Sequence, residues 1–125
     1  MAHRLDPKSG RSPLGPEEVV RRLRQEFVAV DEDREAGARH IDQMVAQFRR
    51  MNAPGEIIEA HLRMRDEAIH VVVTDDPTSE EAYLSFTVMP GEGLFIGYHS
   101  RQHEDAARPV LEQCAQALGY EIELV

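Results

Sequence analysis

The sequence predicts an α+β fold in which N-terminal helices precede a three-stranded antiparallel meander, a C-terminal helix and a final strand. Large apolar residues recur at steps of three and four over 20–51, which is typical of amphipathic helices. Three short β-branched or alternating segments lie between 68 and 99, separated by loop compositions, and such segments pair with their sequence neighbours. The length of 125 residues fits one domain, which we expect over 16–125.

The first 15 residues are predicted to form a flexible basic arm. They combine Pro, Gly, Ser and basic residues with few large apolar ones, so they bury too little surface to offset the entropy lost on ordering. Pro16 followed by Glu17 and Glu18 indicates the start of the first helix. Proline suits the first helical turn, and carboxylates there favour the positive end of the helix dipole.

The helical spacing that follows is compatible with one helix or with two. It runs through Val20, Leu23, Phe27 and Val30 and then, in the same register, through Ile41, Met44, Phe48 and Met51. The acidic cluster 31–35 and Gly37, which costs about 1 kcal/mol relative to alanine inside a helix, favour two helices over 16–30 and 33–52. A continuous helix over 16–52 stays the alternative, and it would imply a partner helix, most simply from a second copy.

The segment 51–65 fits a helical face or strand alternation equally well, and its Pro-Gly start and low β-branching favour a short helix. Strands are predicted at 68–74, 82–88 and 94–99. A helix follows from Ala107, with Ser100 a possible N-cap upstream of it and Gly119 as its C-terminal cap. The chain then closes with a strand that places Tyr120, Ile122 and Leu124 on one side.

The charge is unevenly divided between the two halves of the chain. Residues 1–52 hold ten basic and nine acidic residues, whereas 53–125 hold four basic and fourteen acidic ones. The acidic half should repel nucleic-acid phosphates and anionic lipid, because such partners bind by neutralisation with Lys and Arg. We therefore expect neither nucleic acid nor a membrane as a partner; an acidic surface serves solubility or binds a basic protein.

The run MPGEGLFIGYHSRQH (89–103) raises the question of a phosphate or metal site. Gly91 and Gly93 lie between two predicted strands, where a hairpin turn with positive φ explains them better than a phosphate loop, which needs a helix after it. His99 and His103 lie four residues apart with Glu104 adjacent, and on a helix such a pair can share a metal. The alternative hypothesis is a small metal-dependent or ligand-binding enzyme that uses His99, His103 and Glu104. Its metal would need a further protein ligand.

Other reactive side chains give no pattern that specifies an enzyme. Cys114 lies on a predicted core face and is expected to be an inert buried thiol. Ser85 and Ser100 have no nucleophile motif around them, and His70, between apolar strand residues, is expected to be partly buried and hydrogen-bonded. We expect no cofactor.

The leading hypothesis is a non-catalytic interaction module, such as an adaptor, chaperone or inhibitor of a basic partner, that forms a homodimer. Its surface would combine an apolar helical stripe, where Met and Phe are favoured, with carboxylates of the last strand. The predicted interaction residues are Phe27, Val30, Met44, Phe48, Met51, Glu121 and Glu123. A structural subunit of a larger assembly is a further alternative. With one cysteine and no signal peptide pattern at residue 1, a cytoplasmic location is expected.

Overall fold

The computed structural model describes residues 2–125. Its elements follow one another in the order β1 Ala2–Pro7, α1 Pro16–Glu26, β2 Ala29–Asp33, α2 Arg34–Arg50, α3 Gly55–Met64, β3 Ile69–Thr74, β4 Leu84–Val88, β5 Leu94–Gly97, α4 Arg101–Leu118 and β6 Tyr120–Leu124. The predicted α+β class is confirmed, including the C-terminal helix and the final strand. Within this described range, no helix is both long and apolar enough to cross a membrane.

The strands form two antiparallel sheets of three, in the orders β5-β1-β6 and β2-β3-β4. The predicted pairing of β3 with β4 is confirmed, with Val71 opposite Phe86. The third strand of the predicted meander pairs differently: β5 pairs with β1, with Leu94 opposite Leu5. The turn between β4 and β5 has the predicted positive φ, 74° at Gly91. A seam without ladder hydrogen bonds therefore separates β4 from β5.

The prediction of a flexible arm over 1–15 is wrong for residues 2–7. These residues form β1, the central strand of the first sheet. His3 and Leu5 point into the core and are 5% and 0% exposed. Two core-facing side chains are enough to order this segment, because a central strand is hydrogen-bonded on both edges. These hydrogen bonds help to offset the entropy lost on ordering. The composition of the segment could not indicate pairing partners that lie about a hundred residues away in the chain.

The N-terminal region forms two separate helices, as predicted, but with a strand between them. α1 ends at Glu26 and α2 spans 34–50, so the predicted ranges 16–30 and 33–52 are each too long. β2 lies in the gap, where its residue Val30 pairs with β3. Pairing with β3 outweighs the helical spacing of the apolar residues, which is a weak local preference.

The acidic cluster 31–35 both ends β2 and starts α2. The Asp33 side chain accepts a hydrogen bond from the amide of Ala36 at 2.9 Å, which makes Asp33 the N-cap of α2. Gly37 lies inside α2, next to the backbone of Ala68, where a side chain has no room. Gly37 therefore allows α2 to pack closely against Ala68 and does not break the helix.

The segment predicted as a short helix is α3, and the three predicted strands occur with slightly shorter bounds. α4 begins earlier than the predicted helix, after Ser100, whose hydroxyl accepts a hydrogen bond from the amide of His103 at 3.0 Å. Ser100 is thus the N-cap that its sequence position indicated. Gly119 ends α4 in the left-handed conformation, with φ of 69°, as predicted.

The main core lies between one face of the sheets and the helices α1 and α4. Leu5, Val71, Leu84 and Ile96 face these helices and are fully buried. A smaller apolar cluster lies on the other face, where α2 packs against the start of β3. α2 packs on part of the second sheet, and no helix of the described residues 2–125 packs across the outer face of β5-β1-β6.

The connection from β1 to α1 is held to the core by Tyr120. Its hydroxyl accepts a hydrogen bond from the amide of Leu14 at 2.7 Å. We expect Tyr120→Phe to lower the free energy of unfolding by about 1 kcal/mol, because the Leu14 amide loses its partner while the ring stays packed. Urea unfolding of both proteins measures this difference. Tyr83→Phe, which removes the hydroxyl of an exposed contact with His99, is the control and should change stability less.

Candidate binding surface

The outer face of the first sheet is defined by the register of its strands. Side chains that lie directly opposite one another in an antiparallel pair point to the same face. Arg4 is opposite Phe95 on one side and opposite Glu123 on the other, and Asp6 is opposite Glu121. These five side chains therefore share this outer face.

The face is acidic toward β6. Glu121 and Glu123 are exposed, and neither belongs to an ion pair among residues 2–125. Arg4 is held by Asp6, with 3.2 Å between Nε and Oδ2. This hydrogen bond raises the pKa of Arg4, and the negative charges of Asp6, Glu92 and Glu123 raise it further. Because Arg4 is already paired with Asp6, the carboxylates of Glu121 and Glu123 remain available to a cation from a partner.

Among residues 2–125, β1 is the only strand that pairs with β6, so β6 is also an edge strand. The amide of Val125 donates to the carbonyl of Ala2 at 3.1 Å, which makes this a hydrogen-bonded pair. Hydrogen-bonded and non-hydrogen-bonded pairs alternate along an antiparallel ladder. The N–H and C=O groups of Ile122 and Leu124 therefore point away from β1. Their side chains, 38% and 75% exposed, lie on the other face from the carboxylates.

The helical residues predicted for an interaction surface do not form one surface. Phe27 is buried in the main core, and Val30 packs against it. Met44 packs in the smaller cluster of α2, and Phe48 makes an edge contact with His61 of α3, with ring centroids 4.8 Å apart. Of the five, Met51 alone is largely exposed, at 67%. The stripe predicted from the sequence serves mainly to pack α1 and α2.

The structure brings the two predicted metal ligands His99 and His103 together, with ring centroids 4.0 Å apart. Both nitrogens of the His103 ring have protein partners. Nδ1 accepts from the amide of His99 at 3.4 Å, so Nε2 carries the proton and donates to the carbonyl of Tyr83 at 3.0 Å. Nε2 of His99 contacts the Tyr83 hydroxyl at 2.9 Å.

Glu104 is buried in the first turn of α4, beside Tyr98. Burial raises the pKa of Tyr98 to about 12, and the nearby charge of Glu104 acts in the same direction. In the part of the chain that the structure describes, no group of three or more His, Cys, Asp and Glu side chains could hold a metal. The hypothesis of a metal at His99, His103 and Glu104 gains no support from this geometry.

His70 forms a hydrogen-bonded network on the outer face of the second sheet. Its Nε2 lies 2.8 Å from the Ser85 hydroxyl, and its Nδ1 lies 3.2 Å from the Thr87 hydroxyl. His70 is half-buried, as predicted, and burial lowers its pKa, with a further contribution from nearby His40. Burial also lowers the pKa of His40. Both rings are therefore mainly uncharged at neutral pH.

Sequence reasoning missed the groove that these residues line. It is lined by His40 of α2, by Ser85 and Thr87 of β4 and by Phe95 of β5. Phe95 is 54% exposed although it belongs to a strand. The alternation of Leu94 and Ile96 against Phe95 contained this signal, since a phenylalanine opposite the core-facing set must lie on the outer face.

Cys114 is fully buried, as predicted, and burial raises the pKa of its thiol to about 12. A thiol in this state is a poor nucleophile, because the thiolate is the reactive form.

Comparison of the chain with protein-family models, with curated proteins and with solved structures finds no match.

Proposed function

We propose that this protein is a non-catalytic interaction module of the cytoplasm that binds an extended, basic segment of another protein. The segment adds to the first sheet as a fourth strand, next to β6. The observation that carries this proposal is the outer edge of β6, where unpaired main-chain groups lie between two exposed carboxylates on one face and two exposed apolar side chains on the other.

The main chain of β6 supplies affinity in this arrangement. Ile122 and Leu124 direct two amide donors and two carbonyl acceptors outward, and a partner strand satisfies all four. Exposed strand edges commonly carry charges that prevent unwanted pairing. The charges on β6 are both negative, so they repel acidic strands and favour a basic one.

The side chains of β6 specify the sequence pattern of the partner. Side chains of a strand alternate between faces, so a segment beside β6 presents every second residue to Glu121 and Glu123. Lys or Arg is expected at those positions. The residues between them meet Ile122 and Leu124, where apolar side chains bury the exposed surface of β6.

A second copy of this chain is the other conceivable occupant of β6. Antiparallel pairing of two β6 strands about Ile122 would place Glu121 of each copy opposite Glu123 of the other. Like charges directly opposite one another destabilise a strand pair, and each chain has a formal charge of −9. A basic partner therefore fits this edge better than self-association. The predicted homodimer is not part of this proposal.

A short peptide with the alternation Lys-Val-Lys-Val-Lys tests the proposal by isothermal titration. We expect the peptide to bind the unaltered protein and Glu121→Lys with Glu123→Lys to weaken binding at least tenfold, because attraction becomes repulsion. The matched control is Glu80→Lys with Glu112→Lys, two exposed sites away from β6 that give the same net charge. The control should keep most of the affinity. Equal losses in both variants would show general charge attraction and contradict binding at β6.

A further inference from the structure

The seam between β4 and β5 opens into a groove on the outer face of the molecule. The groove has a volume of about 400 Å³ and continues toward Met44 and Met89 through a second cavity of about 310 Å³. Both volumes lie in the range of small-molecule sites. His40, Thr87 and Phe95 line both cavities, so these two spaces form one continuous groove beside α2.

The floor of the groove carries main-chain groups that no strand satisfies. The β1 residue Leu5 is in a non-hydrogen-bonded pair with Ile122, so its main-chain groups bond to Leu94 on the β5 side. By the same alternation, the N–H and C=O groups of Phe95 and Gly97 point away from β1 and toward β4. No ladder joins β4 to β5 in the described range. These groups are therefore available to a ligand.

The side chains around this floor donate and accept hydrogen bonds without carrying a fixed charge. Ser85 and Thr87 supply hydroxyls that His70 orients. His40 has no hydrogen-bond partner among residues 2–125 and lines the groove from α2. Among residues 2–125, no Asp, Glu, Lys or Arg lines the larger cavity. The smaller cavity is lined by Arg4, which is paired with Asp6, and by Glu92, so it offers an anion no unpaired cation.

Phe95 gives the groove an apolar platform. Its ring is 54% exposed on the sheet face, and Gly97, the next residue on this face, has no side chain to cover it. A flat aromatic face packs against the C–H face of a ring ligand while polar groups at the margin bind hydroxyls. Gly97 leaves space, since a Cβ there would make only an ordinary 3.8 Å contact with the Phe95 ring.

We propose that this groove binds an uncharged sugar ring, stacked on Phe95 and hydrogen-bonded to the main chain of Phe95 and Gly97 and to the side chains of His40, Ser85 and Thr87. Hydroxyl groups of a sugar both donate and accept, as does this lining. The groove lies at the β4–β5 seam and β6 is at the opposite edge of the first sheet, so this site is independent of strand addition.

Amide NMR titration of the protein with glucose, galactose, mannose and N-acetylglucosamine tests the inference. At least one sugar should shift the Phe95 and Gly97 amide signals with a dissociation constant of about 1–10 mM, and glucose 6-phosphate should bind more weakly than glucose. Phe95→Ala should abolish the shifts by removing the platform. Gly97→Val should do so by filling the space, whereas Val28→Ala, at an exposed site elsewhere, should keep them.

Three results would overturn the sugar site. The first is the absence of shifts at Phe95 and Gly97 with all four sugars. The second is a shift that persists unchanged in both Phe95→Ala and Gly97→Val. The third is tighter binding of glucose 6-phosphate than of every uncharged sugar, because the larger cavity holds no cation and Arg4 of the smaller one is already paired with Asp6.

Discussion

Replacing Leu5 with alanine is expected to lower the free energy of unfolding by about 3 kcal/mol and the melting temperature by roughly 10 °C. Leu5 is fully buried in the central strand of the first sheet, opposite Leu94 and Ile122. Removing its side chain loses the transfer free energy of the buried atoms and leaves a cavity that its rigid neighbours fill only in part. Thermal and urea unfolding measure the change.

The matched control for this prediction is Leu124→Ala in the neighbouring strand. Leu124 is 75% exposed, so the same chemical change should alter stability by less than about 0.5 kcal/mol. If residues 2–7 were the flexible arm that the composition indicates, both variants would be equally harmless. A Leu5→Ala protein as stable as Leu124→Ala would therefore contradict the position of β1 in the sheet.

Replacing Gly37 with alanine is expected to destabilise the protein by about 2 kcal/mol, although alanine is the better helix former. A Cβ at this position would lie 2.6 Å from the carbonyl carbon of Ala68 and 2.9 Å from the amide nitrogen of Ile69. Both are backbone atoms at the start of β3, which cannot rotate away as a flexible side chain could. α2 must therefore move off the sheet to admit the methyl group.

Gly55→Ala separates this packing effect from helix propensity. Gly55 is the first residue of α3, its φ is not positive, and a Cβ there would meet no atom within 4 Å. We expect Gly55→Ala to be neutral or slightly stabilising, because alanine lowers the entropy of the unfolded chain. If urea unfolding showed both glycine variants to be stabilised, α2 would not approach β3 as closely as described.

Elements with a strong local pattern could be predicted from the sequence. The alternation in 84–88, the β-branched run 69–74 and the cap residues Ser100 and Gly119 each depend on near neighbours in the chain. β1 and β2 were missed because their stability comes from strands far away in sequence. For the same reason the sequence pattern predicted that β5 pairs with β4, whereas in the structure β5 pairs with β1.

The candidate surface could be predicted only in part. Glu121 and Glu123 were identified from their alternation with apolar residues, and alternation alone places them on one face of β6. The edge position of β6 depends on sheet order, which the local pattern does not contain. The groove was missed for a similar reason, since His40, Ser85 and Phe95 come from three elements that only the tertiary fold brings together.

Amide hydrogen exchange of β6, with and without the Lys-Val-Lys-Val-Lys peptide, tests the proposed strand addition most directly. We expect the amides of Ile122 and Leu124 to exchange quickly in the isolated protein and to become protected on binding, since the added strand accepts their hydrogen bonds. The amide of Glu123, which faces β1, should change much less. Peptide binding that leaves Ile122 and Leu124 as exchangeable as before would contradict strand addition at β6.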